Sequence, residues 1–302
     1  MTLRTLTRAV CPWIILFTTG LALLVGVGPA HGWGPRGHRV ATKIAEARLT
    51  PEAKAAIRAL LNEGDTLADV SGWADREGHD VEPDSAAWHY INVPITASHV
   101  DHKYALRPDG VVNRIGHFRR ILADPKVSKR DRTRALLFFM HFIEDVHQPL
   151  HVGDNNDRGG NLTQVQYFNE GANLHRIWDS TIIEDAGRDD RVWLKAIEPL
   201  LTPRNVAEWS KGDAESWADE SLQDAKLAYH FPKGAQKPIQ SGATLGRDYS
   251  EAALPIIRRR LAQAGIRLAN ELNAVFAESK PAANSSKTKS ADRKAPQPAA
   301  AR

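Results

Sequence analysis

Two His/Asp pairs are spaced four residues apart, which would place both side chains of each pair on one face of a helix. They are His141 and Asp145 in "HFIED", and His175 and Asp179 in "HRIWD". An imidazole and a carboxylate one turn apart can bind the same divalent cation, and mixed nitrogen and oxygen donors are typical of zinc. One such pair is more often a surface hydrogen-bonded pair, so each alone is weak evidence for a metal.

The surroundings of the first pair favour a metal site. Residues 135–142, "ALLFFMHF", are nearly all apolar and predict a helix buried on most sides, with Glu144 and Asp145 directly after them. Buried polar groups are costly unless they have partners, and a metal would satisfy them. Pro149 is expected to break this helix, so that His151 can turn back over the same pocket. We therefore expect both pairs and His151 to form a metal centre.

The elements that position these residues are predicted to be mostly helices. Apolar residues recur every three or four positions over residues 40–61, where Thr50 and Pro51 begin a second helix. Residues 248–276 predict a long last helix, kinked at Pro255. The segment 92–110 lacks periodicity and is expected to be a loop, whereas 161–168 is the best strand candidate. The sequence predicts a single, mainly α domain over residues 33–278.

Both ends of the chain differ in composition from this domain. Two arginines precede an apolar run over residues 10–28, and Ala30 and Gly32 are the small residues that precede a cleavage site. We expect residues 1–32 to be a secretory signal peptide, with an uncleaved membrane anchor as the alternative. Residues 279–302 lack large apolar side chains and are predicted to be a disordered basic tail. The protein is thus expected to be secreted or periplasmic.

The distribution of charge excludes a conventional basic nucleic-acid binder. The net charge of +4 includes two positive charges in residues 1–32 and five in residues 279–302, so residues 33–278 carry −3. A protein that binds nucleic acid through Lys and Arg would be basic in this region. Cys11 is the only cysteine and would leave with the leader, which excludes disulfides and cysteine ligands from the mature protein.

Six short motifs, in this order, resemble the zinc-dependent single-strand-specific nucleases of fungi, plants and bacteria, also called class I nucleases or bifunctional nuclease/3'-nucleotidases. They are "WGPRGH", "SGWADRE", "WHYINV", "HFIEDVHQPLHVG", "DRGGN" and "NLHRIWDS". The resemblance extends from Trp33 to about Asn273. It implies a helical domain of the phospholipase C/nuclease type, built around a trinuclear zinc cluster. It also implies hydrolysis of single-stranded DNA and RNA to 5'-phosphorylated products, and leaves 3'-nucleotidase activity open.

The resemblance also implies a ligand set, carried over position by position. The first zinc would be held by Asp75, His89, His141 and Asp145, and the second by His151, His175 and Asp179. The third would be held by the α-amino nitrogen and carbonyl oxygen of Trp33, by His38 and by the second oxygen of Asp145. Trp33 can supply an amine only if the leader ends at Gly32. Three Zn²⁺ against three carboxylates leave a charge of about +3 that would attract a phosphate.

Catalysis and substrate binding follow from the same resemblance. Water held between two metals has a lowered pKa and attacks phosphorus in line. Asp75 either orients or deprotonates this water or serves as a ligand alone. Tyr90 is expected to stack on an unpaired base and Asn92 to hydrogen-bond its edge. The alternative for Tyr90 is a core residue, because its neighbours Trp88 and Ile91 are apolar.

The chain departs from the family pattern in places. Fungal members have an arginine three residues after the Asp75 position, where this chain has Gly78, and Arg76 lies one residue after. The absence of the fungal disulfides favours a bacterial exported protein, in which the sequon at Asn161 is unmodified. The remaining histidines match no ligand position and are expected at the surface or around the ligands: His79, His99, His102, His117, His147 and His230.

Two other functions compete with a nuclease. Zinc-dependent phospholipases C share an N-terminal tryptophan and three zincs, but have Glu at the Asp179 position and a wider spacing than that from Trp33 to His38. A structural or scavenging zinc protein would hold each ion with four protein ligands. The nuclease is expected to be a monomer that acts on single-stranded nucleic acid and nucleotides, without stable membrane association.

Overall fold

The computed structural model describes residues 32–278, which are mainly helical. The helices are α1 (Pro35–Glu46), α2 (Pro51–Leu60), α3 (Leu67–Val70), α4 (Trp73–Arg76), α5 (Gly78–Val81), α6 (His102–Ala105), α7 (Val111–Ala123), α8 (Lys129–Asp145), α9 (Pro149–Val152), α10 (Leu174–Arg176), α11 (Ile182–Ala186), α12 (Asp190–Ile197), α13 (Pro203–Trp209), α14 (Ala214–Tyr229) and α15 (Arg247–Glu278). Short 3-10 segments cover Pro83–Ala87 and Glu198–Leu200, and a π-helical turn covers Ile177–Thr181. The predicted leader up to residue 31, with Cys11, and the predicted tail lie outside the described residues. The prediction of a helical protein is confirmed.

Helix α8 carries the first His/Asp pair into the interior. Its N-terminus is capped by Ser128, whose hydroxyl oxygen accepts a hydrogen bond from the Asp131 N–H at 3.1 Å. All side chains from 135 to 145 are buried. Phe138 stacks on Phe118 of α7, with ring centroids 4.8 Å apart. The predicted buried helix is present, and its last turn delivers polar side chains to a water-excluded position.

Pro149 does not end α8, in contrast to the sequence-based expectation. The helix ends at Asp145, and Pro149 instead occupies the first position of α9, where a missing N–H costs nothing. The Gln148 side-chain oxygen caps α9 by accepting from the Leu150 N–H at 2.6 Å. His151 therefore lies on a short second helix that is reached through a tight turn.

Helix α15 runs unbroken through Pro255 and joins two buried apolar clusters. Ile257 and Leu261 pack in a cluster with residues of α1, whereas Leu268 and Leu272 pack in a cluster with residues of α8. Gly265 permits the close approach of α1, because a Cβ there would lie 2.6 Å from the Ala41 carbonyl oxygen. The two site-bearing helices α1 and α8 therefore share one long packing partner.

An ion-pair cluster fixes the orientation of α1, the helix that carries His38. Asp190, at the start of α12, accepts hydrogen bonds from Arg36, Arg39 and Lys43 at 2.8, 3.1 and 2.9 Å. Because three cations surround this carboxylate, the pKa of Asp190 is lowered although its partial burial acts to raise it. One face of α1 is thereby bound to α12.

The strands are short and lie next to the site. Strand β1 (Val93–Pro94) pairs in parallel with β2 (Gly153–Asp154), whereas β3 (Gln164–Tyr167) pairs antiparallel with β4 (Glu170–Asn173) and parallel with β5 (Thr244–Leu245). The predicted strand at 161–168 is confirmed as β3. The predicted loop at 92–110 is only partly correct, since it contains β1 and α6. Within residues 32–278, every helix is too short or too polar to cross a membrane.

Candidate metal centre

The structure gathers all eight predicted side-chain ligands into three adjoining groups. The donor atoms of each group lie within 4.8 Å of one another, and His141 belongs to two of the groups. The groups are Asp75, His89 and His141; His38, His141 and Asp145; and His151, His175 and Asp179. Helices α1, α4, α8 and α9 and the π-helical turn contribute to them, so residues far apart in sequence meet at one place.

The spacing predicts a regular α-helix for the second His/Asp pair, but the structure does not have one there. α10 ends at Arg176, and a π-helical turn follows that contains Asp179. His175 Nε2 still lies 3.0 Å from Asp179 Oδ2. Single π-helical turns are rare and are found mostly at functional sites, which agrees with the position of this one.

Backbone carbonyls orient three of the imidazoles. A carbonyl oxygen only accepts, so the Nδ1 atom that contacts it must carry the hydrogen, and Nε2 is then the nitrogen able to bind a metal. In each case Nδ1–H donates to the main chain: His141 to Ser71 at 3.1 Å, His151 to His89 at 2.6 Å, and His175 to Gly159 at 2.7 Å. The fold therefore sets the tautomers that zinc coordination needs.

The loop that contains Gly159 is built to present its carbonyl oxygen. Gly159 has a φ of +61°, and a Cβ there would lie 2.2 Å from the Leu150 carbonyl oxygen, so only glycine fits. The loop is held from inside by the buried Asp157 carboxylate, which accepts from the Gly160 N–H at 2.8 Å and the Tyr229 hydroxyl at 2.6 Å. These contacts explain why "DRGGN" accompanies the ligands in the sequence.

The two oxygens of the Asp145 carboxylate face two different sets of imidazoles. Oδ2 accepts from His89 Nδ1 at 2.8 Å and lies 3.3 Å from His141 Nε2. Oδ1 lies 3.5 Å from His38 Nε2. A bridging ligand would require this arrangement, with one oxygen directed to each of two metal positions.

The electrostatics of the protein atoms favour positive charge at this point. Burial acts to lower the pKa of His141, but the carboxylates of Asp145 and Asp75 outweigh it and raise that pKa well above its usual value. The pKa of Asp145 lies far below its usual range, because His141 and His89 outweigh the effect of burial. A divalent cation between these groups would supply the charge that the carboxylates favour.

The geometry of the donors fits a zinc centre. Within the described part of the chain, Asp145 Oδ1, His38 Nε2 and His141 Nε2 are among the buried side-chain atoms that have no hydrogen-bond partner. Zinc bonds of ~2.1 Å place the ligand atoms of one tetrahedral ion about 3.4 Å apart, close to the separations of 3.0 to 3.5 Å described above. The residues present therefore fit the metal that the sequence pattern implies.

The Gly32 residue lies in the same space. A Cβ on Gly32 would lie 1.5 Å from Asp145 Oδ1 and 3.1 Å from His38 Nε2. Trp33 is fully buried, and the next residue is fixed because the Gly34 N–H donates to the Asp179 carbonyl oxygen at 2.8 Å. The peptide bond between Gly32 and Trp33 thus lies beside the predicted ligands of the third metal.

The predicted substrate-binding residues follow His89 at the edge of the site. Tyr90 and Asn92 are half-buried, whereas Ile91 between them is fully buried. The Ile91 N–H donates to the His151 carbonyl oxygen at 3.0 Å, which ties this segment to α9. Asn92 has a φ of +52°, an unusual value for a non-glycine residue. Arg76 has an exposed side chain and lies over Gly72.

Sequence reasoning missed several residues that support the ligands. Gln148 is buried and its side-chain amide donates to Asp179 Oδ1. Glu144, expected to be satisfied by a metal, is instead bonded to His38 and Thr42. The sequence could have indicated these contacts. Gln148 lies within the longest motif, and Thr42, the partner of Glu144, lies one helical turn after His38.

The histidines outside the predicted ligand set fall into three classes. His79, His99 and His102 are exposed, and His117 and His230 are half-buried. His147 is fully buried. It is therefore not at the surface, which was one of the two positions expected for it. Its Nδ1–H donates to the Ile143 carbonyl oxygen at 2.6 Å, and its Nε2 accepts from Arg267 at 2.9 Å.

The chain is similar over most of its length to known nucleases. The chain is 34% identical over 286 residues to Endonuclease 2 of Arabidopsis thaliana, which covers 87% of this chain and 97% of that protein. It is 28% identical over 279 residues to Nuclease S1 of Aspergillus oryzae, covering 82% and 93%. It is 27% identical over 267 residues to Nuclease P1 of Penicillium citrinum, covering 80% and 97%.

The sequence-based resemblance is thereby confirmed, and neither a phospholipase C nor a structural zinc protein is favoured. The family described as S1/P1 Nuclease matches residues 33–277, nearly the whole of the described chain. The chain belongs to the S1/P1 nuclease family, whose members are metal-dependent hydrolases of phosphodiester bonds.

Proposed function

We propose that this protein is an exported, zinc-dependent endonuclease that hydrolyses single-stranded DNA and RNA to 5'-phosphorylated products. The observation that carries the proposal is the convergence of eight buried or nearly buried His and Asp side chains into three adjoining metal-compatible groups. Membership of the S1/P1 nuclease family supports phosphodiester hydrolysis as the reaction at this site.

We assign three zinc positions to the groups. Asp75, His89, His141 and Asp145 would hold the first, and His151, His175 and Asp179 the second. Trp33, His38 and Asp145 would hold the third, with Trp33 contributing its main-chain atoms. Zinc ions at such positions lower the pKa of water and stabilise negative charge on phosphate oxygens.

The group around His151 favours turnover over a structural role. Among the described residues it offers three donor side chains, whereas structural zinc sites are closed by four protein ligands. A water molecule or a substrate oxygen would complete the set. This distinguishes the proposal from a scavenging protein, in which protein atoms would saturate every ion.

Asp75 is our candidate for the residue that orients or deprotonates the attacking water. It is the most exposed of the grouped side chains, with 11% of its side-chain surface accessible. Its Oδ1 lies 3.2 Å from His141 Nε2 and its Oδ2 lies 3.9 Å from His38 Nε2. One oxygen can therefore serve one metal while the other faces the His38 position. A role as ligand alone is the alternative.

Tyr90 and Asn92 are our candidates for binding an unpaired base. Tyr90 is partly exposed, and its main chain is fixed because its carbonyl oxygen accepts from the Val111 N–H at 3.4 Å. An exposed aromatic face stacks on bases of any type, but only where they are unpaired. Asn92 could then hydrogen-bond the edge of the stacked base. Specificity for single strands would follow from this need for an accessible base.

The test is digestion of single-stranded DNA, duplex DNA, RNA and a 3'-nucleotide by protein that begins at Trp33, with chelator and after zinc is restored. We expect single strands to be cut to 5'-phosphorylated ends, duplex to resist, and activity to return with zinc. The matched pair of variants is Asp145→Asn, expected to be inactive, and Asp80→Asn, an exposed aspartate outside the site. Release of diacylglycerol from phosphatidylcholine without cleavage of single-stranded DNA would overturn the proposal.

A further inference from the structure

Glu144 is a buried carboxylate that belongs to none of the three metal-compatible groups. It lies in the last turn of α8 and is fully inaccessible to solvent. Its Oε2 accepts from His38 Nδ1 at 2.6 Å, and its Oε1 accepts from the Thr42 hydroxyl at 2.6 Å. His38 and Thr42 lie one turn apart on α1, so one face of that helix supplies both donors.

The contact with Glu144 sets the state of the His38 ring. A carboxylate accepts hydrogen bonds, so the hydrogen lies on Nδ1 and the Nε2 lone pair faces the Asp145 Oδ1 atom. The ring is also stacked on that of His141, with centroids 4.0 Å apart and planes inclined by 18°. Packing and hydrogen bonding together leave the His38 ring a single orientation.

The partner of His38 differs in charge from those of the other fixed imidazoles. His141, His151 and His175 donate to neutral carbonyls, whereas His38 donates to a carboxylate. A carboxylate on one ring nitrogen makes the other a stronger donor to a metal, as in carboxylate–histidine–zinc sites. This contact favours His38 as a stronger ligand than the three imidazoles that donate to carbonyls.

Burial of Glu144 also has an electrostatic consequence. Within residues 32–278 no Lys or Arg forms an ion pair with it, and its ion-pair contact is the His38 ring. A buried charge without compensation is strongly unfavourable. A cation bound to His38 Nε2 would supply the missing positive charge through the ring. If Glu144 had only a structural role, an apolar residue could fill this position at a lower free-energy cost.

We propose that Glu144 is a positioning residue that sets the metal affinity of the His38 position in particular. It fixes the tautomer and orientation of His38, strengthens Nε2 as a donor, and adds a fourth carboxylate to the three counted from the ligands. This inference rests on the proposed metal centre. It assigns to Glu144 a role that is confined to one of the three metal positions.

The test is Glu144→Gln, which removes the charge but keeps the shape. The glutamine can still accept from His38 and can donate to the Thr42 oxygen, so the local packing has no reason to change. Zinc content would be measured by mass spectrometry of the metal after equilibration of protein that begins at Trp33 with buffers of graded free zinc. We expect one zinc to require a 10- to 100-fold higher free zinc concentration, with the other two unchanged. The control Thr42→Val removes the other hydrogen bond and should lower the melting temperature while zinc affinity stays the same.

A second set of variants separates this inference from the proposed centre. His38→Ala should lose the same single zinc, and Glu144→Gln should have no further effect in that background. Wild-type zinc affinity in Glu144→Gln, with one zinc lost in His38→Ala, would overturn the role of Glu144 and leave the centre intact. Three tightly bound zincs in His38→Ala would instead refute the centre. If Glu144→Gln does not fold, Glu144→Asp keeps the charge but withdraws it from His38, and unchanged zinc affinity there would equally refute the inference.

Discussion

Removal of metal should destabilise the fold as well as abolish activity. The proposed ligands come from separate segments: α1, α4, the chain around His89, the end of α8, α9 and the π-helical turn. Each metal would therefore join parts of the chain that the unfolded state separates. If the metals bind only to the folded state, their binding free energy adds to the free energy of unfolding.

The size of the effect can be estimated from the number of groups. One site contributes about 2.7 kcal/mol when free metal is at 100 times Kd, so three sites contribute about 8 kcal/mol. The described chain has about 250 residues, for which 1 kcal/mol shifts Tm by about 2–4 °C. Chelation should then lower Tm by about 16–32 °C.

The assay is thermal unfolding in zinc buffers of known free concentration, followed in parallel with cleavage of single-stranded DNA. The Tm should fall and activity should vanish as zinc is withdrawn, and both should return when zinc is restored. The Asp80→Asn protein provides the control and should follow the wild type. Loss of activity with an unchanged Tm would show that the metals are peripheral, and the assignment of buried residues as ligands would be wrong.

Three further predictions concern single positions. Asp145→Asn should be the most damaging ligand change, because the two carboxylate oxygens of Asp145 face different groups. Both kcat/KM and zinc content should fall further than in His38→Ala. The reverse order would contradict the bridging role of Asp145. Tyr90→Ala should weaken binding of a single strand by about 1–3 kcal/mol, or about 5- to 150-fold in Kd, while hydrolysis of a small phosphodiester stays nearly unchanged; equal losses on both substrates would place Tyr90 in the core instead. Protein that begins at Trp33 should be active with three zincs, whereas protein that retains a residue before it should bind one fewer, because an amide nitrogen lacks the lone pair of an α-amine, whose pKa is ~8. An active, three-zinc protein with Gly32 still attached would refute the role of Trp33.

Features that depend on the types and spacing of side chains could be predicted from the sequence. The apolar run before His141 predicts a buried helix because burial of that surface dominates its local energetics, and α8 follows. The spacing of His175 and Asp179 predicts their proximity correctly but the wrong helix type, because a π-helical turn arises from tertiary contacts rather than local propensity. Pro149 is compatible with both the end and the start of a helix, and only the fold distinguishes them.

The supporting contacts of the site were harder to predict for a physical reason. Three imidazoles are oriented by main-chain carbonyls, and every residue type has a carbonyl. Glu144 could be identified as costly when buried, but its partners are on α1, about a hundred residues earlier, and depend on how two helices pack. The charge of about +3 expected for the metal centre therefore counted only the three ligand carboxylates and not Glu144.

The carbonyl contacts determine which mutations the centre can tolerate. Replacing Ser71 by alanine keeps the acceptor for His141, since the oxygen belongs to the main chain. Deleting one residue near Gly159 would displace its carbonyl by up to about 3.8 Å and leave His175 without its orienting partner. The metal centre should therefore tolerate substitution at Ser71 but not at His89, which is itself a proposed ligand, or at Gly159, where only glycine fits. Insertions and deletions should be harmful at all three positions. Variation in this family at the Ser71 position would be expected in residue identity and not in chain length.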